Sequence, residues 1–164
     1  IGSAGVTLAV IHKDLLAGPA KRSLSPMLDY RAHAKANSIL NTAPVFSIYN
    51  SLLMLRWTKK QTIAKLEQHN LLKSSSLYAE IERNGLFNPT VKLAAHRSRM
   101  NVCFRSIDEK YEQLFSTFCK NEGLEGLDGH RAVGGFRASL YNAITIDETQ
   151  QLIDAMKHFE KING

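Results

Sequence analysis

The sequence contains no apolar run approaching the ~20 residues that a bilayer-spanning helix requires. Its longest apolar segments, residues 6–11 and 51–55, are far shorter. No initiator Met opens the chain, and no basic region followed by an apolar stretch marks a secretory leader. The chain is therefore expected to be a soluble piece of a longer protein, with no membrane contact. Cysteine is scarce. The two thiols, Cys103 and Cys119, lie in no CxxC or Cys/His metal spacing, which argues against a disulfide framework, a zinc site or a thiol nucleophile. Reduced thiols filling space fit a cytoplasmic protein. His12, His33, His69 and His158 show no ligand spacing, so no metal site is expected. No Ser/His/Asp set or carboxylate pair can be argued, because Asp108, Glu109, Asp147 and Glu148 fall in first turns of expected helices, where capping and the helix dipole explain them.

Positive charge is in excess. Twenty-one Lys and Arg face fifteen Asp and Glu, a net charge of +6. The basic residues are scattered, and the densest cluster, His96-Arg97-Ser98-Arg99, is short. A solvated basic surface and a solvated 96–99 loop are expected, rather than a nucleic-acid face. A phosphorylated small substrate would also suit a locally basic site.

The pattern along the chain predicts an α/β organisation. Residues 6–11, Val-Thr-Leu-Ala-Val-Ile, form a nearly continuous β-branched run, the signature of a strand buried on both faces. Residues 12–40 read as a long irregular connection. Pro44 after Asn41-Thr42-Ala43 opens a helix over about 45–59, whose Val45, Ile48, Tyr49, Leu52, Leu53 and Leu55 leave little polar face and predict deep burial. A second helix is expected over 62–83, with Ile63, Leu66, Leu77 and Ile81 inward and Gly85 as its stop. Residues 100–104 alternate like a strand. Ser106 and Glu109 offer a capping box for a helix with Ile107, Tyr111, Leu114, Phe115 and Phe118 on one stripe. Residues 124–131 read as extended or loop, and 136–144 as a strand. Thr145 and Glu148 offer a second box for a helix burying Leu152, Ile153, Met156 and Phe159. The expected division is 1–44, the end of a larger domain; 45–84, connecting helices; and 85–164, a small α/β domain.

Two places could carry chemistry. Asn41-Thr42 lies at a helix start, where unpaired amides and the helix dipole favour an anion; an ordinary N-cap accounts for the same pair. Residues 129–137, Gly-His-Arg-Ala-Val-Gly-Gly-Phe-Arg, hold two arginines and a histidine around a Gly-Gly pair. Arginine's planar fork suits carboxylate and phosphate. Alternation puts Phe136, Ala138 and Leu140 on one strand face and Arg137, Ser139 and Tyr141 on the other. Arg137 would then sit mid-strand in apolar surroundings, where a cation needs an anionic partner. His130-Arg131 could equally be a surface pair.

At these residues the chain resembles the phosphoserine aminotransferases, class-V, fold-type-I enzymes that use pyridoxal phosphate. The resemblance runs along essentially the whole sequence. It rests on residues 1–6 (Ile-Gly-Ser-Ala-Gly-Val), 41–46 (Asn-Thr-Ala-Pro-Val-Phe), 97–102 (Arg-Ser-Arg-Met-Asn-Val), 129–137, and 139–143 (Ser-Leu-Tyr-Asn-Ala). The Gly-His-Arg block followed by Tyr-Asn-Ala is the most specific. The resemblance implies the end of an aspartate-aminotransferase-like large domain, a long connecting helix and a small C-terminal α/β domain. It implies a homodimer with a shared cofactor site, and amino transfer between glutamate and 3-phosphohydroxypyruvate to form phosphoserine, a step of serine biosynthesis. By the same resemblance, Asn41 and Thr42 match the pair reaching the cofactor phosphate across the dimer interface. His130 and Arg131 match the positions receiving the substrate phosphate, and Arg137 the arginine binding the substrate α-carboxylate. The lysine that tethers the cofactor is expected just before Ile1, so no catalytic residue is expected in this stretch, and the piece alone should be inactive. Ala43 and Cys103 stand where the family often has proline; neither change removes a functional group.

Two alternatives remain open on sequence. Another fold-type-I aminotransferase would leave His130 and Arg131 without a role. A non-catalytic basic anion-binding domain would show steep salt-dependent binding to any duplex.

Overall fold

A computed structural model of the protein describes every residue except 1, 3, 19–21, 131 and 132. The chain divides into two compact units, Ile1–Gln61 and Thr62–Gly164.

The first unit is helical and irregular. It contains α1 (Lys13–Leu16), α2 (Tyr30–Lys35) and the long α3 (Val45–Gln61). Asp29 caps α2 through Arg31 N–H at 3.0 Å and chelates the Arg31 guanidinium at 2.9 and 2.8 Å. Two expectations fail here. Residues 6–11 form neither helix nor strand and pair with no strand among the described residues, and Val10 is 94% exposed. β-Branched residues favour extended backbone, but a strand exists only where a neighbouring ladder accepts its hydrogen bonds. Nor is α3 buried: Ser51 is its one buried residue, and Val45, Phe46, Tyr49 and Leu55 are exposed. An all-round apolar helix signals that cover is needed, and this unit does not supply it.

The second unit carries the core. Helix α4 (Ile63–Arg83) begins where the Thr62 side chain accepts from Lys65 N–H. Leu77 and Ile81 are buried as the spacing predicts, whereas Ile63, the first residue of the helix, is exposed. The helix does not stop on Gly85. Asn84 ends it in extended backbone, its amide donating to Glu80 Oε1 and the Met156 carbonyl while its Oδ1 accepts from Leu86 N–H.

Strands β1 (Phe87–Pro89), β2 (Asn101–Ser106), β3 (Asp128–His130) and β4 (Gly134–Ser139) form an antiparallel sheet in the order β1-β2-β4-β3. Val102 pairs with Ala138 and Phe104 with Phe136, so the period-two alternation of β2 and β4 turns one shared face inward. Helices α4, α5 (Glu109–Asn121) and α6 (Ile146–Asn163) supply the rest of the core. Phe87, Phe104, Phe115, Phe136 and Phe159 meet there; Phe87 and Phe115 lie 4.7 Å apart and Phe115 and Phe159 5.0 Å. Each such ring contributes roughly 1.5–3 kcal/mol by leaving water.

The capping box on α6 forms as the sequence predicts. Thr145 Oγ1 accepts from Glu148 N–H at 3.1 Å, and Glu148 Oε2 accepts from Thr145 N–H at 2.7 Å. The box expected at Ser106 does not form. Asp108 takes the cap, accepting from Lys110 N–H at 3.0 Å, and the Ser106 hydroxyl donates to the Asp108 carbonyl. The carboxylate two residues on is the stronger acceptor, and it moves the helix start. Ile107 and Leu114 are accordingly exposed. The strand expected over 136–144 ends at Ser139 and gives way to a turn at 141–144.

Candidate functional site

The β3–β4 hairpin presents the chemistry-bearing segment, and glycine decides its shape. His130 pairs with Gly134, and Val133 N–H donates to the His130 carbonyl at 2.8 Å. Gly135 has φ +67°, and a Cβ placed there would meet the Phe104 carbonyl oxygen at 2.7 Å. A Cβ on Gly129 would strike the Gly134 and Gly135 carbonyls. Only glycine lets β3, β4 and β2 approach this closely. The Arg105 guanidinium donates to the Val133 carbonyl, tying the hairpin tip to β2. His130 is exposed at the tip. Arg131 lies outside the described residues.

Arg137 stands on the sheet face opposite the core. Its Cα partner in β2 is Cys103, and its N–H donates to the Leu127 carbonyl at 2.8 Å. The side chain is half-buried, and its Nε is fully buried with no hydrogen-bond partner among the described residues. Asn101, on the same face, likewise holds a buried Oδ1 with no partner. An unmet buried donor costs about 1–3 kcal/mol, and more when charged. The natural complement of an unmet guanidinium is an anion held edge-on. A cavity of about 420 Å³, lined by Leu124, Leu127, Ala138, Leu140, Ile144 and Leu152 among others, opens on the other side of β4, so Arg137 does not line it.

The end of β4 is held by a residue that sequence reasoning missed. Lys73, on α4, is 2% exposed. Its ammonium donates to the carbonyls of Leu140 at 3.1 Å, Tyr141 at 2.9 Å and Ile144 at 2.8 Å. Burial lowers its pKa, with Glu148 opposing the shift. One turn earlier Asn70 donates to Asn142 at 2.7 Å. No local signal distinguishes Lys73 from a solvated lysine, because its acceptors lie about seventy residues away in the chain.

Asn41 and Thr42 belong to the first unit and precede α3. Both are exposed, and the Asn41 amide donates to the Thr42 carbonyl at 3.2 Å. Pro44 has no N–H and Val45 N–H donates to the Ala43 carbonyl at 2.9 Å, so neither of these two positions offers a donor to a ligand. Arg97 is not a solvated loop residue. It pairs with Glu82 at 2.6 Å, donates to the Val91 and Lys92 carbonyls, and lies over the Tyr78 ring at 4.8 Å. Arg99 pairs with Glu67 at the surface. Both cysteines are unpaired, and burial pushes the Cys119 thiol up to about 12, far from a nucleophile's range. Among the described residues no three His, Cys, Asp or Glu gather to hold a metal, and no helix is long and apolar enough to cross a membrane.

Residues 1–152 match the model of the class-V aminotransferase family, and the chain belongs to that family. Within it, the chain is similar to phosphoserine aminotransferases. It is 45% identical over 161 residues to that of Flavobacterium johnsoniae, covering 98% of this chain and 45% of the relative. The chain thus spans about half the length of the curated relatives it matches. Among solved structures, the phosphoserine aminotransferase of Bacillus circulans subsp. alkalophilus superposes with a TM-score of 0.86 at 37% identity, covering 93% of this chain and 42% of that one. The PLP-bound phosphoserine aminotransferase of Trichomonas vaginalis gives a TM-score of 0.81 at 35% identity, covering 90% and 42%.

Proposed function

We propose that this chain is the C-terminal part of a homodimeric, cytoplasmic pyridoxal-phosphate enzyme that transfers an amino group between glutamate and 3-phosphohydroxypyruvate, forming phosphoserine. The observation that carries the reading is Arg137: a guanidinium whose Nε is buried and unmet, on the open sheet face behind a glycine-built hairpin. Arg137 binds the α-carboxylate common to every amino-acid substrate. His130, exposed at the hairpin tip, and Arg131, which follows it in the sequence, receive the substrate phosphate and select the phosphorylated acid. Two anionic anchors on one small molecule fix its orientation, so binding energy from the phosphate is spent on positioning the reacting carbon. Asn41 and Thr42 hold the cofactor phosphate of the partner subunit at the α3 start. The cofactor, when bound, supplies the electron sink that makes the substrate Cα–H acidic. The lysine that tethers it belongs to the segment before Ile1, and this chain's own residues bind and orient.

The test uses the full-length protein, whose bound-cofactor absorbance is followed during titration with phosphoserine and separately with serine. A spectral change with phosphoserine at concentrations where serine gives none is the expected result. Equal responses to both would remove the phosphate assignment, and a protein with no cofactor band would remove the aminotransferase reading. His130→Ala and Arg131→Ala should weaken phosphoserine while leaving glutamate unchanged. Steep salt-dependent binding to any duplex would instead favour an anion-binding module.

A further inference from the structure

We infer that Lys73 and Asn70 form a clamp that positions Arg137, so that α4 sets the affinity of this site for the carboxylate of its substrates. The inference rests on the carboxylate role proposed for Arg137. β4 carries Arg137 between two fixed ends. At its start, Gly135 lies against the Phe104 carbonyl and Arg105 donates to Val133. At its finish, Leu140 N–H donates to the Met100 carbonyl at 2.7 Å, and the Lys73 ammonium gathers the carbonyls of Leu140, Tyr141 and Ile144 within 2.8–3.1 Å. Arg137 lies three residues before the first of those carbonyls.

The chemistry of the clamp is unusual for a purely structural contact. An ammonium has three protons, and each of the three acceptors here is a backbone carbonyl. No carboxylate among the described residues lies within ion-pair distance of it. A lysine buried for packing alone would be better replaced by an apolar residue, because taking the charge from water is costly without a counter-ion. What the charge does gain is geometry: it draws three carbonyls of one turn toward a single point, which no neutral side chain can do. The Asn70–Asn142 bond closes the same turn from the same helix, one turn earlier. A shift of this turn reaches Arg137 through the three residues of continuous backbone between them, which end in the β2–β4 ladder that carries Arg137 opposite Cys103. A displacement of about 1 Å at an anchoring group can cost on the order of a hundredfold in a well-aligned site.

Steady-state kinetics of the full-length holoenzyme carrying Lys73→Met tests this, with Asn70→Ala as a milder second variant and Arg137→Lys as the reference. The methionine keeps volume and removes the three donors. The expected result is a KM rise of about tenfold or more for glutamate and phosphoserine alike, with kcat changed less. Asn70→Ala should give a smaller rise, shared by both substrates. Should Lys73→Met fail to fold, Asn70→Ala decides. An unchanged KM in the clamp variants beside a raised one in Arg137→Lys would overturn the clamp alone. An unchanged KM in Arg137→Lys would overturn both the clamp and the carboxylate reading beneath it. A rise confined to phosphoserine would also overturn the clamp, since that points to the hairpin tip.

Discussion

Arg137 lies directly opposite Cys103 in the β2–β4 register, yet its buried Nε has no partner among the described residues. A donor kept buried and unmet is a cost that folding alone would not maintain. Replacing Arg137 by Met keeps the alkyl length and removes the unmet donor. Stability should therefore be unchanged or up to about 1 kcal/mol higher. Affinity for amino-acid substrates should fall by about one to two orders of magnitude, the worth of a charge-assisted pair. Chemical denaturation and substrate titration of the same preparation check both halves. A large loss of stability would make Arg137 a structural residue.

Gly134 and Gly135 are neighbours with similar backbone angles, φ +74° and +67°, but different surroundings. A Cβ on Gly134 would meet open space, whereas one on Gly135 would press on the Phe104 carbonyl and the Arg105 side chain. Gly134→Ala should cost only the left-handed penalty, about 1–2 kcal/mol. Gly135→Ala should cost about 3 kcal/mol or more, because the obstacle is backbone in a paired strand. It should also weaken binding of phosphorylated substrate by shifting the hairpin tip. Equal costs from thermal unfolding of the two variants would mean that β2 yields to the added methyl group.

Local pattern carried much of the second unit. The Phe136, Ala138, Leu140 face, the Leu152, Ile153, Met156, Phe159 stripe and the Thr145–Glu148 box all depend on neighbours two to seven residues apart, so the period alone reveals them. The first unit was less legible for a physical reason. Val6–Ile11 has strand propensity and α3 has an apolar surface all round, but whether either is paired or covered depends on chain far away, and here neither is. The Ser106–Glu109 box failed because two acceptors two residues apart, Ser106 and Asp108, compete for one helix start and the carboxylate takes it. Arg137 could be nominated from its mid-strand position in apolar surroundings. Lys73 and Arg105 could not, since what makes them matter is a carbonyl about seventy residues away for one and twenty-eight for the other.

The junction of α4 and α6 should make stability sensitive to acid. Glu160 accepts from Gly85 N–H at 2.6 Å and pairs with Arg83 at 2.6 Å, and these contacts hold its carboxyl below the usual glutamate range. Glu148, bonded to the Thr145 backbone and hydroxyl, is lowered in the same way. For a carboxylate whose folded pKa is depressed, the unfolded chain binds the proton more readily. The stabilisation is therefore fully present above the ordinary value of about 4.3 and is lost as pH falls through the lower folded value. Glu160→Gln should lower the melting temperature at neutral pH and shrink the further drop on acidification, because one of the groups that titrates on unfolding is gone. Arg83→Met should act in the same direction, removing the pair with Glu160 and a second pair with Glu80, and the double variant should fall short of the sum of the two, since both single variants remove the Arg83–Glu160 pair. Melting curves recorded between about pH 7 and pH 3 decide the matter. An acid limb as steep in Glu160→Gln as in the parent would place the titrating groups elsewhere.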